Sequence, residues 1–346
     1  MPGRGVYAST VLPPMLLASR HAVVALAVVL VLLTAACARA GQEDVSEMPP
    51  EPTAPRDVRL ALDFTPNAAH AGIYTASRSR LDRPRGVALR VRPPTNSADS
   101  LRTLVAGRAD LAVVDIHDLG LARERGEDVI GVAALVQRPL AAVIAREGIR
   151  RPRDLEGRLV GVAGLPSDDA VLRALVEDDG GDPDRVRRVT VGFSAVSNFV
   201  AGKLDAVTAF WNVEGVAIRE KGIRTTELRL DRVAPRYPEL VLATTRETLS
   251  EDRELIGRAV AAIRAGTESA LRDPEPAIRN IARLSAADQA LVRAQFDALR
   301  PAFSPPLVLD PEVIEGWARF DRRFGILRRP EPREGFDYSV VASGGE

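Results

Sequence analysis

Short apolar runs, each ending in a cluster of polar residues, recur along the chain as far as Thr244. Residues 58–62, 87–91, 109–114, 129–136, 140–145, 159–162, 186–191 and 240–244 have the length and aliphatic content of strands. Between them lie segments with apolar positions at helical spacing. The clearest covers 97–106, with Asp99 and Ser100 near its start, Leu101, Leu104 and Val105 on one face, and Gly107 as a stop. Strand and helix alternate, which predicts α/β architecture with largely parallel sheets. Beyond Thr244 the pattern turns almost wholly helical, over 252–271, 277–284, 286–299 and 311–324. Residues from Pro330 onward, rich in Pro, Gly and acids, read as a flexible tail.

The polar clusters fall at strand ends, where ligands bind in open α/β sheets. The stretch VRLALDFTPNAAHAGIYTA places Asp63, Phe64, Asn67 and His70 at the end of the first strand, with Tyr74 in the helix that follows. Thr95 and Asn96 end the second strand, and Asp115 with His117 ends the third. Ser167 and Asp168 follow a Gly-containing loop at a helix mouth. They form either a hydrogen-bond cradle or an ordinary N-cap. Phe210-Trp211-Asn212-Val213-Glu214-Gly215 ends a later strand. Trp211 is read as a stacking surface flanked by Asn212 and Glu214, or else as a core plug. Tyr237 precedes the strand 240–244. The segments Gly107-Arg108-Ala109-Asp110 and Gly202-Lys203-Leu204-Asp205 repeat one pattern, a helix stop followed by a strand with one acid at its start. The repeat predicts two similar lobes.

Composition narrows the function classes. Of 346 residues 46% are apolar, enough for about two domains with real cores. Basic and acidic residues number 47 each, so the chain has no electrostatic footprint for nucleic acid. Aromatic residues make up 4%, which gives each aromatic at a strand end added weight.

The first residues read as an export signal. Arg20 and His21 precede an apolar run to Leu33, then Thr34-Ala35-Ala36-Cys37. This resembles a bacterial lipoprotein signal with Cys37 as the lipidated residue, although Thr34 stands where that signal carries Leu or Val. A plain signal peptide and a membrane anchor are the alternatives. As Cys37 is the only cysteine, no intramolecular disulfide forms. Residues 38–56 read as a disordered tether.

The segments ALDFTPNAAHAGIYTA, PPTNSADSLRTLVAGRADLAV, GRLVGVAGLPSDD, GKLDAVTAFWNVEG and YPELVLATT occur in the order and spacing of a known group. The chain resembles the type 2 solute-binding proteins of ABC importers. Within them it resembles the sulfonate, nitrate and thiamine-pyrimidine-precursor family. The resemblance implies a two-lobed periplasmic-binding-protein fold joined by crossover strands. Lobe I would comprise 57–139 and 238–328, lobe II 140–237, and the tail 329–346. It also implies a monomer held to the outer face of the bacterial membrane by a lipid, passing a small molecule to an ABC permease and its ATPase. By matching position, Asp63, Asn67, His70, Tyr74, Thr95, Asn96, Asp115 and His117 would face Ser167, Asp168, Trp211, Asn212 and Glu214 across the cleft, with Tyr237 near the second crossover. Trp211 and one of Tyr74, Phe64 or Tyr237 would stack on a flat heteroaromatic such as an aminopyrimidine.

An enzyme of this family uses a lysine-bound pyridoxal phosphate, a consumed histidine and a cysteine cluster. His117 falls at the histidine position, but Val113 stands where that lysine would be, and Cys37 lies in the signal. A binding protein without cofactor is therefore expected. No metal-ligand spacing is present, the three histidines being His21, His70 and His117. A flavin remains an alternative ligand. A sulfonate or nitrate fits less well beside Glu214, because a buried carboxylate repels anions.

Overall fold

The computed structural model describes residues 54–343. The signal 1–37, with Cys37, lies outside them, as does most of the tether. Two five-stranded mixed sheets form the two lobes. In lobe I, β1 (Arg56–Ala61), β2 (Val87–Arg92), β3 (Leu111–Asp115) and β4 (Val129–Val136) are joined by a strand from much later in the chain, β10 (Leu240–Thr245), in the order β2-β1-β3-β10-β4. In lobe II, β5 (Ala141–Arg146), β6 (Leu159–Val162), β7 (Arg187–Thr190), β8 (Ala206–Phe210) and β9 (Thr225–Arg229) lie in the order β7-β6-β8-β5-β9. β10 and β5, the strands that follow the two crossovers, run antiparallel to both of their neighbours. All nine expected strands thus appear, with small changes at their ends. β9, with the sequence TTELR, was not expected, since its apolar content is too low for a strand. It forms because β5 offers a free ladder edge.

The repeated acidic residue has one role in each lobe. Asp110 accepts the Arg59 amide at 2.7 Å and returns its own N–H to the Arg59 carbonyl at 2.8 Å. Asp205 does the same with Leu159, at 2.8 and 2.9 Å. They thereby fix the stagger of β1 against β3 in lobe I and of β6 against β8 in lobe II.

Helices cover both faces of each sheet. They are α1 (Ala71–Arg78), α2 (Asp99–Val105), α3 (Ile116–Glu124), α4 (Pro166–Asp178), α5 (Ala195–Val200) and α6 (Glu214–Glu220). The C-terminal set is α7 (Arg246–Glu251), α8 (Arg253–Arg272), α9 (Glu275–Ser285), α10 (Gln289–Leu299), α11 (Pro311–Arg323) and α12 (Ser339–Ser343). β4 reads VIGVAALV and is buried at every position, as a strand covered on both faces must be. α1 and α8 meet at two glycines. A Cβ on Gly266 would lie 2.1 Å from the Gly72 carbonyl oxygen. That close approach sets the position of α1 and of the loop that leads into it. α10 touches both that loop and α6 of lobe II, so the C-terminal helices brace the two walls of the cleft.

The expected flexible tail is instead packed against lobe I. Phe336 is buried, its neighbours pair with Gly131 (Gly131 N–H to Gly335 O, 2.9 Å; Asp337 N–H to Gly131 O, 2.8 Å), and Val340 is wholly enclosed. A few apolar side chains in a polar-rich stretch were enough to fasten it.

Candidate ligand-binding site

One cavity of about 490 Å3 lies between the lobes, walled by the carboxyl ends of β1, β3 and β8 and the N-termini of α2, α3, α4 and α6. Of the residues expected from sequence, Asp63, Phe64, Asn67, Asp115, Ser167, Asp168 and Glu214 line it. Tyr74, Thr95, Asn96, His70, His117, Trp211, Asn212 and Tyr237 do not.

The first loop is built from its own residues. Asn67 caps the turn Ala68–His70, accepting the Ala69 amide at 2.8 Å. His70 is fully buried behind it. Its Nδ1 accepts the Asn67 amide at 3.3 Å, so Nε2 carries the proton and donates to Asp63 at 2.8 Å. His70 therefore holds Asp63 in the cavity wall. Tyr74 points into the core of lobe I. Thr95 donates from its amide and hydroxyl to Asp99, at 2.8 and 3.0 Å, and Asn96 accepts the Ala98 amide at 3.2 Å. Both serve the start of α2. The neighbouring Ser97, Ala98 and Ser100 reach the cavity in their place.

Asp115 N-caps α3, accepting the His117 amide at 2.8 Å. His117 lies beneath it, completely enclosed. Nδ1 is 2.9 Å from Asp321 and Nε2 is 2.9 Å from the Tyr237 hydroxyl. Burial would lower the His117 pKa, but Asp321, then Asp115 and Glu239, raise it to about 10. Its ring is a structural tie between α3, Asp321 of α11 and Tyr237. Glu239 precedes β10 and accepts the Leu140 amide at 2.6 Å and the Ala141 amide at 3.4 Å, stitching one crossover to the other. Asp115, His117 and Glu239 are close enough to share an ion, yet both His117 nitrogens already have partners.

In lobe II, Asp168 accepts the Gly164 and Leu165 amides at 2.8 and 2.9 Å and the Thr208 hydroxyl at 2.8 Å. Gly164 has φ +92°, which its loop requires. Glu214 accepts the Phe210 amide at 3.1 Å. Burial, with the charges of Asp63 and Asp168 adding to it, pushes the Glu214 carboxyl up to about 7. Burial also raises Asp168, and it lifts Asp118 to about 6.

Trp211 faces away from the cavity. Its indole N–H donates to the Pro139 carbonyl at 3.1 Å, and the Arg229 guanidinium covers the ring at 3.8 Å. It pins the first crossover to lobe II. Asn212 is fully buried and its side chain bonds to no described residue. The aromatic surface comes from phenylalanines. Phe64 of lobe I meets Phe193 of lobe II edge-to-face at 4.7 Å between ring centres, and Phe210 completes the wall. Phe210 stood beside Trp211 in the motif singled out from sequence, whereas nothing marked Phe193. Asp118 was missed too. It lines the cavity and accepts the Ser167 hydroxyl at 3.0 Å and amide at 3.3 Å across the cleft. Ser97 makes a second link, from its hydroxyl to the Ala163 carbonyl at 3.2 Å. The lobes are therefore closed on each other.

The fold is that of periplasmic binding proteins. It is similar to the alkanesulfonate-binding protein SsuA from Xanthomonas axonopodis pv. citri bound to MOPS, with TM-score 0.65 and 17% identity, over 84% of this chain and 98% of that one. It is also similar to the Candida albicans CA3427 product, described as having the generic periplasmic binding protein fold, with TM-score 0.65 and 14% identity, over 82% and 96%. In sequence, the chain is 31% identical over 225 residues to the formylaminopyrimidine-binding protein of Halalkalibacterium halodurans, covering 64% of this chain and 68% of that protein. It is 24% identical over 232 residues to the 4-amino-5-hydroxymethyl-2-methylpyrimidine phosphate synthase THI5 of Saccharomyces cerevisiae, covering 63% and 68%. With the family model matching residues 67–277, the chain belongs to the NMT1/THI5-like family.

Proposed function

We propose that this protein is the extracytoplasmic solute-binding component of an ABC importer. Its ligand would be an aminopyrimidine of the thiamine-precursor type or a similar flat heteroaromatic. The observation that carries this reading is the cavity itself: phenylalanine faces from both lobes beside hydrogen-bond-accepting carboxylates. Phe64, Phe193 and Phe210 suit a planar ring, and Glu214, Asp63 and Asp168 suit exocyclic amino donors. The relative named for formylaminopyrimidine binding supports the same ligand class. Binding rather than catalysis fits the residues, since neither lysine of the chain, Lys203 or Lys221, lines the cavity and Val113 does. Anchoring through a lipid on Cys37, delivery to a permease and action as a monomer belong to the same proposal.

The test is a thermal-shift panel on the full chain in detergent, with aminopyrimidines, thiamine, riboflavin, taurine and nitrate. A ligand at about 100 times its Kd stabilises by about 2.7 kcal/mol. That corresponds to a rise in Tm of about 5 °C in a protein of this size. A response to taurine or nitrate alone would overturn the aromatic-ligand reading.

A further inference from the structure

The two lobes bring carboxylates together without a base to match them. Asp63 and Asp118 of lobe I and Asp168 and Glu214 of lobe II all line the cavity. The groups they bond to are neutral. Asp63 accepts from His70 Nε2, on a ring whose Nδ1 takes the Asn67 amide. Asp118 accepts from Ser167, Asp168 from two amides and the Thr208 hydroxyl, and Glu214 from the Phe210 amide. Among the described residues, none of the four pairs with an arginine or lysine.

The bases near the wall are engaged or distant. Arg102 is paired with Asp99 and Asn96 at the start of α2, each at 3.5 Å. Arg125 follows the last turn of α3, about 10 Å along the helix from Asp118. Glu127, two residues on, lines the cavity as well, and Asp115 adds a further carboxylate. His117, behind the wall, is matched by Asp321 at 2.9 Å. Closure of the lobes thus gathers negative charge that the chain does not balance. A buried carboxylate without an opposite charge holds a proton instead, in keeping with the rise of Glu214 to about 7. A cation placed among these groups would favour their ionised forms, and the attraction grows as water is excluded. Phenyl rings also attract cations through their faces, and Phe64, Phe193 and Phe210 stand in the same wall.

We propose that the cavity selects its ligand as a monocation: a flat amino-heteroaromatic whose ring nitrogen carries a proton and donates it in a charge-assisted hydrogen bond to Glu214, with Asp63 and Asp168 as the neighbouring counter-charges. A neutral ring of the same outline is then rejected by charge rather than by shape. Such selection presupposes that the cavity is the ligand site.

The experiment titrates the full chain in detergent, by calorimetry at pH 7.5, with three ligands of one outline. 4-Amino-5-hydroxymethyl-2-methylpyridine is a cation at that pH. It should bind about tenfold more tightly than 2-amino-4-methylbenzyl alcohol, which is neutral and differs at one ring atom. 4-Amino-5-hydroxymethyl-2-methylpyrimidine, a weaker base than the pyridine, should fall between them. Glu214→Gln, which keeps an acceptor for the Phe210 amide, should remove most of the pyridine's advantage. Asp63→Asn should remove a smaller part. A pyridine that binds no better than the benzyl alcohol, or an advantage that survives both variants, overturns selection of a cation, and binding of the pyrimidine then leaves the aminopyrimidine reading intact. Failure of all three ligands to bind the wild type overturns the two together.

Discussion

Glu214→Gln tests whether the cavity wall stores unfavourable charge. The carboxyl titrates near 7 in the folded chain against an ordinary value of 4.5, because burial and the neighbouring Asp63 and Asp168 oppose its ionisation. A raised carboxyl favours the folded state while it is protonated, and that advantage is lost as pH climbs from about 4.5 through 7. The rise from 4.5 to about 7, at about 1.4 kcal/mol for each tenfold change in proton affinity, sets the loss at about 3 kcal/mol. Glutamine keeps an acceptor for the Phe210 amide and carries no charge at any pH. The variant should match the wild type at pH 4.5 and exceed its stability by up to about 3 kcal/mol above pH 7.5. Asp168, Asp118 and Asp115 shift in the same direction in both proteins, so they largely cancel in the difference. Urea unfolding at pH 5 and pH 8, without ligand, reads the gap as a midpoint displaced by about 1 M at the higher pH. A gap independent of pH, or a variant less stable at pH 8, would refute the reasoning.

Two further substitutions separate walls from supports. Trp211→Ala should cost about 3–5 kcal/mol of stability by emptying a core position, while ligand still raises Tm. Phe210→Ala should cost less stability and weaken ligand at least about tenfold by calorimetry, through loss of an aromatic face. Glu239→Ala should destabilise by about 3 kcal/mol or more, because two buried amides of the crossover lose their acceptor at about 1–3 kcal/mol each. Glu239→Gln, which keeps an acceptor, should recover most of that loss in denaturant melts.

The lobes were legible because a buried parallel sheet leaves a plain mark, an apolar run closed by a polar loop. The paired aspartates, Asp110 and Asp205, were legible for the same reason, since each occupies the one acidic position at a strand start. The site was legible only by region. Sequence marks which residues sit at a strand end but not which way each side chain turns. In Asp115-Ile116-His117-Asp118 the first and last line the cavity, and His117 turns under the sheet toward Asp321, 204 residues away. In Phe210-Trp211 a rare aromatic drew attention, yet its indole found the Pro139 carbonyl and its commoner neighbour took the wall. Phe193 and Asp118 gain their roles only from the opposite lobe, which no local pattern encodes. The packed tail escaped because Phe336 and Val340 are isolated in a polar stretch, and their burial depends on Gly131 and α8.

The placement of β10 has a consequence for assembly. It lies between β3 and β4, yet it follows them by about a hundred residues, the whole of lobe II being inserted in between. As the chain is made, β3 and β4 must wait with open edges. Lobe II, whose strands are contiguous in sequence, has all its partners first. Lobe I is then the late-closing unit, with the loop-closure cost and slow pairing that distant strand contacts bring. Its unpaired apolar strands are the segments most exposed to aggregation before β10 arrives. A chain stopped at Glu239 would carry a complete lobe II sheet beside a split lobe I.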